Sequence, residues 1–590
     1  ANTGQQDQNR SLVPVPSEGN ARGRHGHRSC MGRHPDPSDT IRIHVRGPGS
    51  LFSQGVFFVN SMFIRSAAAL AVATAFALPA TTVLAATPKD TLVVTWAIDD
   101  IITMDPAESF EISAGEVMGN TYDRLLRYDV NDPSKLVPDV AKSWTVSPDD
   151  KTYTFEIKPG LKFASGNPLT AEDVAYSLQR AVLLDKTPAF ILTQFGFTKE
   201  NVKDRIRAVD GKSVVLLIDK PYAPTFVLNC LTANVASIVD KKLLQSKEVN
   251  GDMGYAWLKT NYAGSGPMKL REWRANEVVA LERNDNYWGA KSKLTRVIYR
   301  HVKEAATQRL MLEKGDADIA RNLTPQDLDA LAKNKEIKTT NTPKGTVWYF
   351  SLNQKHPILS KPEVREAFKW LVDYDAIGAT MIKNIGVVHQ NFLPIGLLGA
   401  SAEKPYKLDV NKAKALLAKA GHPNGFKITI DMRTSQPVQG MTEAIQQTLK
   451  RAGIEMEILP GDGKQTLTKY RARQHDIYIG QWGADYWDPH TNADTFARNP
   501  DNSDNAKSKP LAWRNAWDIP EMTKKADAAV LERDANKRKA MYLELQADHR
   551  KNSPFVMIGQ MIETAAIRSN VQGFKIGPTS DATYMFKVTK

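Results

Sequence analysis

Cysteine is nearly absent: two in 590 residues, Cys30 and Cys230. That excludes a disulfide-stapled scaffold and a cysteine-rich zinc module. Long apolar runs are scarce as well. Only Ala67 to Leu78 is apolar enough to suggest a membrane, and it falls short of the roughly 20 residues a spanning helix needs, which excludes a polytopic membrane protein. Catalytic fingerprints are missing. Gly211-Lys212 and Gly463-Lys464 lack the upstream glycine of a phosphate loop, and neither a G-x-S-x-G elbow nor H-E-x-x-H occurs. The histidines past residue 85 (His301, His356, His389, His422, His475, His490, His549) are widely spaced. They propose no metal site and read as surface or packed residues; no cofactor is implied. The net charge is +13, but the basic residues are scattered among acids rather than gathered in blocks, so nucleic acid is not the partner.

What is present is ordinary soluble material: 42% hydrophobic and 24% charged residues. The length suggests three or four domains and more than one core. Residues 1–61 are rich in Gly, Pro, Ser, Arg and His without a sustained period, and read as a mis-called or non-native extension. Met62-Phe-Ile-Arg65, the apolar run to Leu78 and Pro79-Ala-Thr-Thr-Val-Leu-Ala85 then have the order of a secretory signal. Val83 and Ala85 occupy the small-residue positions, so cleavage is expected after Ala85. No cysteine stands near the cut to carry a lipid, and Arg65 is alone, which argues against a twin-arginine signal. Cys230 is then left unpaired and reads as a small buried hydrophobe.

Beyond the cut, Thr91 to Trp96 reads as a buried strand and Glu116 to Leu126 as an amphipathic helix. Tyr153, Phe155 and Ile157 alternate with polar residues, giving a half-buried strand stopped by Pro159-Gly160. Thr170-Ala-Glu-Asp173 is a capping-box variant opening a helix. Val214 to Ile218 is a strand, and Met268 to Trp273 with Val278 to Arg283 a hairpin. The pattern restarts past Thr346 with a strand from Val347 to Asn353 and a helix from Pro362, where proline suits the first turn. Helices at 411–420 and 443–452, each closed by glycine, alternate with strands at 427–432 and 454–459, an α/β rhythm. A strand at 476–480, a long helical region at 522–551 and strand-like residues to Ile567 follow.

These motifs resemble the extracellular solute-binding proteins of ABC importers, in the dipeptide/oligopeptide-binding family (family 5). The most specific match is the stretch from Tyr153 to Ser177, with Ala164 where His or Ser is commoner. Gly264-Ser-Gly-Pro267, Glu282 to Gly289, Leu352-Asn353, Val364 to Phe368 with Asp373, Lys412 to Gly421 and Val571 to Phe574 follow in the same order. The resemblance implies an α/β, two-lobed periplasmic-binding-protein fold (class II-like, cluster C) with an extra domain and a hinged ligand cleft. The expected division is lobe I from 86–127, 235–345 and 562–590, an extra domain II at 128–234, and lobe III at 346–561.

The resemblance also implies a function: a monomeric periplasmic receptor that closes on a di- or oligopeptide and delivers it to a permease heterodimer with cytoplasmic ATPase subunits. Relatives of the same fold take opine-like compounds, oligosaccharides, haem or nickel chelates, and an exported hydrolase is a further alternative. Asp485 matches the family aspartate that pairs with a ligand's α-ammonium group, and a buried carboxylate needs such a partner. Trp482 and Gly483 precede it as an aromatic wall and a point of close backbone approach. One or two of Trp348, Tyr349 and Phe350 should face ligand, since strand alternation forbids all three. Arg321 and Asn322 fall near a cleft-lining loop, where an arginine could hold a ligand carboxylate or bridge lobes. Asp100 and Ile101 border the site. Asp488-Pro489 reads as a turn. No match for a clamp on a peptide's C-terminal carboxylate is found.

Overall fold

A computed structural model describes residues 87–590, apart from residues 130, 131, 133, 134, 462 and 507 and the side chain of Lys464. The signal segment, the cut after Ala85 and the upstream stretch with His25, His27, His34 and Cys30 lie outside the described residues. The largest sheet runs in the order 455–461, 427–433, 477–483, 337–352, 555–568, 319–320, 91–96, 296–301, 278–283, 268–274. Its first half is the predicted α/β part, with 427–433 parallel to both neighbours. The other half is built on the fully buried strand Thr91–Trp96, parallel to Arg296–His301. A separate four-stranded antiparallel sheet (141–146, 152–157, 213–217, 206–209) belongs to the extra region.

Two long antiparallel strands, Ile337–Leu352 and Phe555–Arg568, run through both halves. Their ladder is regular from Ile337 to Pro343, shifts register before Val347, and continues to Ser351. The irregularity at Lys344-Gly345-Thr346 is where one half gives way to the other. Val347 and Tyr349 enter one core while Trp348, Phe350 and Leu352 enter another. Alternation thus holds, and each face of the strand is committed to a different cluster.

The Thr170–Asp173 capping box is formed, and the helix Ala171–Leu184 follows it. The hairpin Met268–Arg274/Val278–Arg283 is present. Gly421 and Gly453 sit at φ of 87° and 85°, beyond the ends of their helices. Several expectations shift: the helix expected at 443–452 spans Val438–Arg451. The helix expected from Glu116 to Leu126 spans Ile112–Thr121. The strand expected from Val347 begins at Ile337. The 522–551 region is two helices, Pro520–Leu531 and Ala535–Asn552, because Asp534 caps the second by accepting from the N–H groups of Asn536 and Lys537.

Candidate functional site

A cavity of about 320 Å³ opens beside the two long strands. Trp96, Ala97, Asp100, Ile112, Arg321, Asn322 and Leu323 line it from the 91–96 half, and Trp348, Ile385, Pro437 and Gln481 from the other; Met561 to Thr564 of the crossing strand complete it. Four of the expected site residues therefore meet here: Asp100, Arg321, Asn322 and Trp348.

Their roles are more structural than expected. Arg321 is buried, and its guanidinium is already satisfied. Nη1 donates to both Glu116 oxygens at 3.1 and 2.8 Å, Nε donates to Glu563 Oε1 at 3.0 Å, and Nη2 also meets Glu563. The Trp96 ring lies 4.4 Å away, and Lys344 Nζ completes the cluster 3.3 Å from Glu563. Burial opposes ionisation of Glu563, but Arg321 and Lys344 outweigh it and hold the carboxyl down at about 2. An arginine between two carboxylates is not free to take a third, so the reading of Arg321 as a ligand clamp is corrected. Asn322 accepts from Ala97 N–H at 2.7 Å. Asp100 accepts from Ser113 N–H at 3.2 Å and from its hydroxyl, which holds the start of helix Ile112–Thr121. Trp348 Nε1 donates to Gln481 at 3.1 Å.

Three expected residues point elsewhere. Tyr349 packs edge-on against Phe496 and Phe555, Phe350 lies in the core around helix Pro362–Trp370, and Ile101 is in the core beneath Thr91–Trp96. Burial of apolar surface outcompetes ligand contact at these positions.

The 482–488 segment stands apart from the cavity lining. Trp482 is half-buried, edge-on to Phe496 with centroids 5.8 Å apart. Gly483 pairs with Thr346, and a Cβ there would approach Thr346 Oγ1 to 3.1 Å. The close neighbour is therefore the crossing strand itself. Asp485 is half-buried. Its N–H donates to Thr491 Oγ1, yet among the described residues no cation pairs with its carboxylate. Burial, with Asp494 nearby, pushes it up to about 7. Asp488 lies in the expected turn, where Thr491 N–H donates to its carbonyl, and its buried carboxylate is bound to Arg538.

Sequence reasoning missed Gln481, Trp96, Ile112 and Arg433. Gln481 had a signal, as the first exposed residue of an otherwise buried strand. Arg433 closes strand Lys427–Arg433, one residue beyond the Met432–Ile479 pair. It is exposed and in no ion pair among the described residues, with its guanidinium beside Gly463.

A cavity between the halves of a two-lobed sheet is the architecture of a protein that closes over a small solute. The chain belongs to the bacterial extracellular solute-binding proteins, family 5, whose middle-region sequence model matches residues 135–504. It is 29% identical over 504 residues to the probable D,D-dipeptide-binding periplasmic protein of Escherichia coli, covering 85% of this chain and 94% of that one. It is 25% identical over 474 residues to the dipeptide-binding protein of Escherichia coli, covering 78% and 86%. The fold matches an ABC transporter-associated periplasmic binding protein from Helicobacter pylori, solved in complex with peptide STSA. There the TM-score is 0.72 and the identity 26%, covering 85% of this chain and 98% of that one.

Proposed function

We propose that this chain is the periplasmic receptor of an ABC importer for di- or oligopeptides, exported through residues 62–85 without a lipid anchor and acting as a monomer that performs no chemistry. Asp485 carries the reading. A half-buried carboxylate with no cation of its own is held at a cost, and a ligand α-ammonium group removes that cost. The relatives named for dipeptides support the same solute class. Arg433 supplies a free cation on the neighbouring strand. Asp485 lies two residues beyond strand Ile477–Gly483, so the two backbone positions are at most roughly 20 Å apart. A zwitterionic peptide is the ligand such a pair receives. Closure would turn about residues 344–346, where the ladder of the crossing strands is interrupted. We take lobe I as 86–127, 235–345 and 562–590, the extra domain as 128–234 and lobe III as 346–561; the separate four-stranded sheet within 141–217 supports the extra domain. The loaded receptor would dock on a permease heterodimer driven by cytoplasmic ATPases.

Native mass spectrometry of the exported protein, taken from periplasm without refolding, tests the reading. A ladder of adducts at peptide masses is expected. A single non-peptide mass would replace the solute.

A further inference from the structure

From the 98–112 segment, Asp100 and Ile112 line the cavity, and both are exposed. Ile112 is 52% exposed and lines the cavity. Phe110, two residues before it, is 40% exposed, and its ring meets Phe190 of the extra region edge-on at 6.0 Å; Phe190 is itself 42% exposed. A single exposed apolar side chain needs no explanation, but two exposed rings in contact, one of them two residues from an exposed cavity-lining isoleucine, do. The fold takes trouble to present this group. Helix Ile112–Thr121 has no side-chain cap of its own. Its start is held from a distance by Asp100, which accepts from the backbone and hydroxyl of Ser113. That bond fixes Ile112 at the first helical position, turned to the cavity. The remaining lining continues the apolar character through Trp96, Leu323, Trp348 and Ile385. Its two strong charges, Arg321 and Glu563, neutralise one another.

From this continuity we infer that the site selects peptides with large apolar side chains, which pack on Ile112, Phe110 and Phe190. Backbone-only recognition would leave the site indifferent to side chain; this wall makes it discriminate. Asp100 is then a positioning residue for the wall. The inference rests on the peptide reading above.

Calorimetry with Ala-Ala, Leu-Leu, Phe-Phe and Lys-Glu tests it on the full receptor. Leu-Leu and Phe-Phe are expected to bind at least tenfold more tightly than Ala-Ala and Lys-Glu. In Ile112→Ser and Phe110→Ser the preference should fall to a few-fold. Asp100→Asn, which weakens the cap while keeping Ile112, Phe110 and Phe190, should reduce it partly. Peptides that all bind within threefold of one another would overturn the selectivity and leave the peptide reading standing. If none of them binds, the peptide reading fails and this inference with it. A preference unchanged in both serine variants assigns the selectivity to other residues and overturns the role of this wall. Loss of self-association by the serine variants in sedimentation, with affinities unchanged, would make the patch a face between two copies and overturn it as well.

Discussion

Arg538 donates through Nη1 and Nη2 to the two oxygens of Asp488, at 2.8 Å each, and both side chains are 2% exposed. Three residues earlier, Asp485 has no cation partner among the described residues. Two aspartates on one short segment thus have opposite electrostatic fates. The paired one ties helix Ala535–Asn552 to the segment.

Asp488→Ala should be severely destabilising, because it strands the buried Arg538 charge. A loss of about 3–5 kcal/mol is expected in urea unfolding. Asp488→Leu combined with Arg538→Met should recover much of it, since removing both charges also removes their desolvation cost.

Asp485→Asn keeps the shape and removes the charge. Affinity for an amine-bearing peptide should drop by about 2–5 kcal/mol in calorimetry; unchanged affinity would sink the assignment. The same carboxyl makes binding depend on pH. It titrates at about 7 in the free protein, pushed up by burial and then by Asp494. Only the ionised form pairs with an ammonium group, so affinity should fall roughly tenfold per unit as pH drops below about 7. Stability of the ligand-free protein should run the other way. The folded group holds its proton more tightly than the unfolded one, so its contribution declines as pH rises from about 4 to 7. Asp485→Asn should flatten both profiles.

Arg321→Met leaves Glu116 and Glu563 facing each other without a cation between them. A loss of about 3–5 kcal/mol is expected in chemical denaturation. In the native protein the depressed Glu563 carboxyl contributes stability above about pH 4, and that contribution is lost as pH falls toward 2.

Arg433→Gln tests the second charge. The native receptor should favour Leu-Leu over its C-terminal amide, and the variant should narrow that gap. An equal gap in both proteins would remove Arg433 from the site.

Gly119→Ala tests the packing of the chain's end on helix Ile112–Thr121. A Cβ at Gly119 would run into the backbone carbonyl of Asp581. Overpacking of this kind costs about 1–3 kcal/mol, visible as a lowered thermal midpoint.

Much of the fold was legible because its signals are local. The Tyr153–Ile157 alternation, the Thr170 capping box and the glycines after helices each act within a few residues. The misplaced boundaries have non-local causes. Helix Ile112–Thr121 starts four residues earlier than its apolar face suggests because Asp100 caps it from the preceding loop. Residues 338–344 are polar and include Pro343, yet they are strand because residues 562–568 satisfy their backbone. The site was less legible. Trp348 reaches the cavity while Tyr349 and Phe350, adjacent and equally aromatic, are core, since the sequence does not say which face of a doubly buried strand meets a ligand.

From the sequence alone came the family, the α/β rhythm and the candidate aspartate, because each is written in contiguous residues with a fixed period or order. The tertiary structure decided which charges are spent. Arg321 finds its partners 205 and 242 residues away, and Asp488 finds its own 50 residues on, whereas Asp485 and Arg433 find none among the described residues. Ion pairing acts through space, so only the folded chain separates the charges that are paired from those that are not.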